Sequence, residues 1–143
     1  MPESLAYPLP EGLPLWKGAL AEPLAVAWHA VRRAGPEPGE KALVLGGGAM
    51  GALVAWLLHR EGTAVHLVEP NPHRAQKLLR LGLAREAVPK GEEVGREAYP
   101  LVLDTVGLQA TLAQGLRALA PGGRQWWWGL RERKERWTSR IWC

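Results

Sequence analysis

The chain has 143 residues, 47% of them hydrophobic and 22% charged, and it carries a formal net charge of +4. This length suffices for one domain with a hydrophobic core. A membrane span needs about 20 consecutive apolar residues, and every apolar run in the sequence is much shorter. The N-terminal residues do not form a secretory signal and the single cysteine is Cys143. The sequence therefore predicts a cytoplasmic protein without disulfides or a cysteine-based metal site.

The excess positive charge lies at the C-terminal end of the sequence. Residues 124–143 contain six basic and two acidic residues, so residues 1–123 are neutral overall. A nucleic-acid-binding domain spreads basic residues over a face of the fold, and we therefore expect no nucleic-acid partner. In the basic C-terminal tail at 130–143, Glu132 and Glu135 alternate with basic residues as on an ordinary solvated helix, which argues against a membrane partner.

Strand and helix patterns alternate along the chain, as in a parallel sheet built from βαβ units. Residues 1–16 are predicted to be extended, and apolar spacing predicts a helix over 17–34, in which Pro23 is tolerated only near the start or at a break. The strands predicted next are 41–45, 64–68, 85–88 and 101–104. Helical patterns follow them at 53–58, 72–81, 92–98 and 108–119, the third being a single turn, and Pro121-Gly122-Gly123 ends the last.

A glycine-rich motif links the first of these strands to the helix after it. Its sequence is Gly46-Gly47-Gly48-Ala49-Met50-Gly51. In a dinucleotide-binding turn Gly46 makes the tight bend, Gly48 lets the backbone approach a pyrophosphate, and Gly51 allows close packing of helix and strand. The N–H groups at the helix start then bind the phosphates. The alternative is a glycine turn that only closes a loop.

An acidic residue, Glu69, ends the second strand 18 residues after Gly51. A carboxylate at this position accepts both ribose hydroxyls of an adenosine and repels a 2′-phosphate, so NAD is predicted rather than NADP. The alternative is a solvated acid at a strand end. These features predict an α/β fold: a Rossmann-type doubly wound parallel sheet of about five strands, truncated before the sixth. The NAD-binding domain spans 17–129, and the loops after strands one and four flank the cofactor crevice.

Several stretches resemble, in order, the medium-chain alcohol dehydrogenase superfamily, in particular its zinc-dependent sorbitol and threonine dehydrogenase-like branch. They are Ala21 to Ala27 with His29-Ala30-Val31, Gly46 to Gly51, Glu69-Pro70-Asn71 with Arg74, Leu81-Gly82, Asp104 to Gly107, Leu116 to Leu119, and Pro121 to Arg124. The resemblance implies an NAD(P)-binding domain in which Glu69 sets NAD preference and the loop Thr105-Val106-Gly107 borders the cofactor. It places Arg74 near the adenosine end, although Arg74 is equally a candidate for a solvated helix charge.

The resemblance also implies what this chain lacks. In the sorbitol dehydrogenase-like branch the residue matching Glu22 lies at or near the catalytic zinc, but the family's catalytic cysteine and His-Glu pair belong to a preceding domain with no counterpart here. None of the four histidines has metal-ligand spacing; they are His29, His59, His66 and His73. We therefore expect no catalytic residues and no metal in this chain, NAD(H) binding without turnover, and a role for Glu22 only if a partner chain supplies the zinc domain.

The fifth strand departs from the family pattern, which is rich in valine. Here the sequence is Gln125-Trp126-Trp127-Trp128-Gly129, and five of the eight tryptophans follow Gly123. Tryptophan codons read in another frame encode valine, so one hypothesis is a frameshift near Gln125 that leaves 131–143 out of frame. Alternatively, the tryptophans form an exposed edge strand through which a homodimer assembles.

The sequence leaves two other functions open. One is an S-adenosylmethionine-dependent methyltransferase, whose related sheet also has a glycine-rich first turn and an acid after strand two; Gly51 and the Glu22-Pro23 helix disfavour it. The other is a non-catalytic module that uses nucleotide binding or its exposed edge to assemble with a partner.

Overall fold

A computed structural model describes residues 6–127 of the chain. The helices are α1 (Leu15–Gly18), α2 (Ala21–Ala34), α3 (Ala49–Arg60), α4 (Pro72–Arg80) and α5 (Gln109–Ala118), and a 3-10 turn covers Gly91–Glu93. The strands are β1 (Lys41–Leu45), β2 (Ala64–Val68), β3 (Glu86–Val88), β4 (Tyr99–Asp104) and β5 (Leu119–Trp127).

The strands form one parallel sheet in the order β3-β2-β1-β4-β5. The order reverses at β1, which pairs with β2 on one side and with β4 on the other. This reversal is the topological switch point of a doubly wound sheet, and it brings the loops after β1 and β4 together at the carboxyl edge. The predicted Rossmann-type α/β fold with five strands is confirmed.

The position of β1 in the middle of the sheet explains why its sequence is a continuous apolar run. Ala42 and Val44 lie in the core with Val54 and Leu58 of α3, and Leu43 and Leu45 lie in the second core, which includes β4 and α5 residues. Helices cover both faces of the sheet, so every residue of β1 after Lys41 is buried, and the strand lacks the alternation of apolar and polar residues seen in half-exposed strands.

The N-terminal helical segment is broken, as Pro23 suggested. Two helices replace a single one over 17–34, with Ala19 and Leu20 between them. Pro23 lies in the first turn of α2, where its missing N–H leaves no hydrogen bond unmade. The extended N-terminal segment predicted to reach residue 16 is shorter than expected, because α1 already begins at Leu15.

Two predictions near the C-terminal half differ from the structure. The helical turn predicted over 92–98 is only the 3-10 turn at Gly91–Glu93. The predicted stop Pro121-Gly122-Gly123 does not separate α5 from the last strand but lies inside β5. The pairing with β4 passes from Tyr99–Leu119 to Leu101–Arg124, so the residues between Leu119 and Arg124 bulge out of the ladder. A bulge tolerates Pro121, which has no N–H to donate to a neighbouring strand, and Gly122, which has a φ of 74°.

The part of β5 that the structure describes includes Trp126 and Trp127. Trp128 and the predicted basic tail at 130–143 lie outside the described residues, as do residues 1–5. Between residues 6 and 127, no helix has the length and apolar character needed to cross a membrane.

Candidate functional site

Three positions of the turn after β1 are occupied by glycine for different physical reasons. Gly46 has a φ of 94°, and a Cβ there would lie 2.7 Å from Cγ2 of Val106. A Cβ on Gly51 would collide with the carbonyl group of Gly46, so α3 can approach β1 only with glycine at this position. A Cβ on Gly48, by contrast, would have no described atom within 4 Å. The open space in front of Gly48 is what a ligand phosphate would need.

Helix α3 starts at this turn without a side-chain cap. Gly48 is its N-cap residue, and no side chain bonds to the first backbone N–H groups, which include those of Ala49 and Met50. Such groups have no partner within a helix and carry the positive end of its dipole. Ala49 is exposed, whereas the Met50 side chain packs against the core. The helix start can therefore accept an anion through its backbone.

The predicted ribose-binding acid, Glu69, lies directly beside the turn. Its side chain is buried, with 5% exposure; Oε2 accepts a hydrogen bond from the N–H of Gly47 at 2.7 Å, and Oε1 accepts one from Asn71 at 2.7 Å. It is therefore not the solvated strand-end acid of the alternative interpretation. Each carboxylate oxygen retains a second lone pair that a hydroxyl group can use.

Two other predicted residues lie on helix starts. Arg74 is in the first turn of α4, where its N–H donates to the Asn71 side chain at 3.3 Å, and its guanidinium makes no ion pair within residues 6–127. Glu22 is exposed in the first turn of α2, and its carboxylate bonds to no other residue that the structure describes. The structure thus joins Glu69 to the glycine turn but shows no polar contact from Arg74 or Glu22 to it.

The loop after β4 forms the other side of the site. Thr105 donates to the carbonyl oxygen of Leu45 through both its N–H, at 3.0 Å, and its hydroxyl, at 2.9 Å. The hydroxyl also lies 3.3 Å from the carbonyl oxygen of Gly46. Val106 follows with 43% exposure, and Gly107 has a φ of 75°. Thr105 and Val106 therefore contact the glycine turn, and Gly107 follows them in the same loop.

Sequence reasoning did not single out Asp104, which holds this loop. Its side chain is fully buried, and Oδ1 accepts the N–H groups of Val106 and Gly107 at 2.9 and 3.1 Å. Oδ2 accepts the hydroxyl of Thr111 at 2.8 Å. The available signal was an acid that ends a buried apolar strand, because such a group must find donors in the residues next to it.

A histidine cluster lies elsewhere on the sheet. Nδ1 of His66 is 3.0 Å from the Tyr99 hydroxyl and 3.2 Å from a carboxylate oxygen of Glu86. Burial lowers the pKa of His66 despite the opposing effect of Glu86, and burial together with Glu86 raises the pKa of Tyr99. The other histidines lie exposed on helices; they are His29, His59 and His73.

The zinc of the family does not fit the residues that the structure describes. Among residues 6–127, no group of three or more His, Cys, Asp or Glu side chains is arranged to hold a metal ion. Glu22 has no other such ligand with it, and we derive no metal-dependent step for this chain.

Comparison with known proteins identifies relatives among dehydrogenases. The family model described as ketopantoate reductase PanE/ApbA matches residues 42–104. The (R,R)-butanediol dehydrogenase of Bacillus subtilis is 33% identical, over 85% of this chain and 37% of the relative. The 2-dehydro-3-deoxy-L-galactonate 5-dehydrogenase of Pseudoalteromonas atlantica is 47% identical, over 54% of this chain and 23% of the relative. The chain thus spans less than half the length of these relatives.

The fold is also shared with a solved dehydrogenase. A zinc-binding dehydrogenase from Sinorhizobium meliloti 1021, crystallised with NADP, superposes with a TM-score of 0.85 at 25% identity, over 94% of this chain and 43% of that one. The relatives agree in class with the resemblance seen in the sequence. The chain is similar to zinc-type medium-chain dehydrogenases, and its 143 residues fit their NAD-binding part.

Proposed function

We propose that this chain binds NAD(H) as the cofactor domain of an alcohol or polyol dehydrogenase. The observation that carries the proposal is the open space at Gly48, in front of the uncapped start of α3. On one side of the glycine turn lies Glu69, which is hydrogen-bonded to Gly47, and on the other lies the loop after β4, which is hydrogen-bonded to Leu45. A pyrophosphate lying there would accept N–H bonds from the start of α3. Bound nicotinamide would accept or donate the hydride.

The proposed site contains the residues predicted from the sequence. The turn contributes Gly46, Gly48, Ala49, Met50 and Gly51. Glu69 would bind the adenosine ribose and Arg74 would lie near the adenosine end, while Thr105, Val106 and Gly107 would border the nicotinamide half. The domain assignment of 17–129, with a separate tail at 130–143, is part of the same proposal.

NAD is proposed as the preferred cofactor because of Glu69. The turn holds this carboxylate at the end of β2 through hydrogen bonds to Gly47 and Asn71, so a 2′-phosphate bound there would lie against a negative group. The Sinorhizobium meliloti relative was crystallised with NADP, and titration with both NADH and NADPH tests the preference of this chain.

The second part of the proposal is that the chain is inactive alone. The residues that the structure describes offer no metal-binding group. A zinc-binding part outside these residues would complete the site, and Glu22 at the start of α2 would be available to it.

The methyltransferase alternative is less well supported. Gly51 is required by the carbonyl of Gly46, as a dinucleotide-type turn demands, and the relatives named above are dehydrogenases.

Calorimetric titration with NADH, NADPH and S-adenosylmethionine tests the proposal. NADH should bind saturably and more tightly than NADPH, and Glu69→Ala should weaken NADH by about tenfold, the loss expected for about one strong hydrogen bond to a charged group. Glu61→Ala, which changes an exposed acid at the far end of α3, is the matched control and should bind like the wild type.

A turnover assay with NAD and butane-2,3-diol should show no NADH production by the chain alone. Binding of S-adenosylmethionine without NADH would replace the proposal by the methyltransferase function. Steady oxidation of the diol would disprove the claim that the chain is inactive alone.

A further inference from the structure

Asp104 ends β4 where the sheet order reverses, and its side chain is fully buried. We propose that Asp104 is a positioning residue for the nicotinamide half of the dinucleotide. It fixes the wall made by Thr105, Val106 and Gly107 without touching the ligand itself. This inference rests on the proposed function and deepens it.

The carboxyl group of Asp104 binds the loop at two places. Oδ1 accepts the N–H groups of Val106 and Gly107, and Oδ2 accepts the hydroxyl of Thr111 in the first turn of α5. The Thr111 hydroxyl also accepts the N–H of Leu108 at 3.1 Å. The two N–H groups are part-buried and the carboxyl group itself is fully buried, so leaving either side unpaired would be costly, and the carboxyl group therefore favours this conformation of the loop.

The loop held in this way lies against the glycine turn. Thr105 is bonded to the carbonyl of Leu45, and Cγ2 of Val106 lies 2.7 Å from the position that a Cβ on Gly46 would take. The Val106 side chain is 43% exposed even so. It therefore lies against the turn and also presents part of its surface to a bound ligand or to solvent.

The next residue of the turn contacts the opposite side of the site. A Cβ on Gly47 would lie 3.1 Å from Oε2 of Glu69, the proposed partner of the adenosine ribose. Strand β1 separates β2 from β4, so Glu69 and Val106 stand on opposite sides of the turn. A dinucleotide with its pyrophosphate at the turn and its adenosine at Glu69 must extend its nicotinamide half toward Val106.

Comparing NADH with ADP-ribose separates this role from a general structural one. ADP-ribose contains the adenosine and pyrophosphate but no nicotinamide ring. Asp104→Ala should weaken NADH by about tenfold and ADP-ribose by less than about threefold, because only the β4 side of the site is loosened. Asp104→Asn should stay within about threefold of the wild type for both ligands, since its Oδ1 can still accept the two N–H groups.

Two further variants keep the test decisive. If Asp104→Ala does not fold, Thr111→Val removes one of the three hydrogen bonds and should also weaken NADH more than ADP-ribose. Thr63→Val is the control, because Thr63 is buried and its hydroxyl has no partner among the described residues, so both ligands should bind as to the wild type.

The outcomes distinguish the positioning role of Asp104 from NAD(H) binding itself. Equal losses of NADH and ADP-ribose, or an unchanged NADH affinity in Asp104→Ala, would overturn the positioning role while leaving NAD(H) binding intact. A wild-type chain that binds neither ligand would overturn the proposed function and, with it, the role of Asp104.

Discussion

The glycines of the turn after β1 are not equivalent residues. Gly46 and Gly51 are demanded by the fold, because a Cβ on either would meet atoms of the turn or of the β4 loop. Gly48 is not demanded by the fold, since its φ of −70° suits any residue and the space in front of it is open. A glycine that the fold does not need is best explained by a ligand that approaches the backbone there.

Alanine substitutions separate these two reasons. Gly48→Ala should keep the thermal unfolding midpoint of the wild type but weaken NADH by roughly tenfold or more, because the new methyl group occupies the space of the pyrophosphate. Gly51→Ala should lower the free energy of unfolding by roughly 1–3 kcal/mol through overpacking. Thermal unfolding and calorimetric titration measure the two effects, and equal stability losses in both variants would contradict this assignment.

The sequence predicted the roles of some single residues but not the hydrogen bonds that hold them. The glycine positions were predictable because a tight turn and a close helix contact depend on backbone geometry that the motif itself encodes. The placement of Glu69 after β2 was also predictable, but its hydrogen bonds to Gly47 and Asn71 were not. Asp104 was overlooked because its donors depend on a loop conformation that no spacing rule describes.

At the scale of elements, β5 shows a conflict between its sequence and its surroundings. Gln125 pairs with Val102 of β4, and both polar atoms of its amide are buried without a hydrogen-bond partner among residues 6–127. Arg124, the preceding residue, is instead well bonded: it donates to the carbonyl of Ala34 at 2.9 Å and to Glu40 at 2.7 Å. The hydrogen bonds of Arg124 thus anchor the strand, whereas the buried amide of the next residue has no hydrogen-bond partner among residues 6–127.

Replacing this amide by an apolar side chain should stabilise the protein. Gln125→Val removes two unpaired polar atoms and adds a β-branched residue to a strand, so the free energy of unfolding should rise by roughly 1–2 kcal/mol. Urea unfolding measures the change, and Gln109→Val, at an exposed position of α5, is the control for which no gain is expected. A loss of stability in Gln125→Val would show that the amide has a partner after all.

Valine is also the residue type that the frameshift hypothesis expects in this strand. Reading the coding DNA beyond Arg124 tests this hypothesis: an alternative frame without a valine-rich strand would remove it.

At the scale of the whole molecule, the described sheet ends at β5, whose Trp127 is 52% exposed. An apolar groove of about 440 Å³ lies between this strand and α2, lined by Ala25, Val26, His29, Ala30, Trp126 and Trp127. A strand at the edge of a sheet offers its backbone groups to another strand, and an apolar groove beside it adds area to bury.

We expect the chain to form a homodimer through this edge. Sedimentation velocity should show a dimer that Trp127→Lys converts to a monomer, because a lysine at the edge opposes strand pairing. Leu81→Lys is the matched control, since Leu81 is 60% exposed on the side of β3 and should not affect the dimer. A monomeric wild-type chain would contradict the prediction.

The sequence by itself determined the class of fold and the type of site. Alternating apolar strands and helices, the glycine spacing and the position of Glu69 depend on local periodicity and backbone freedom, which can be read along the chain. Only the tertiary structure decided which groups hold one another. The hydroxyl of Thr105 bonds to the carbonyl of Leu45 across 60 residues of sequence, and Glu69 bonds to Gly47 across 22. Such partners are chosen by proximity in the folded sheet, which brings the ends of β1, β2 and β4 to one edge.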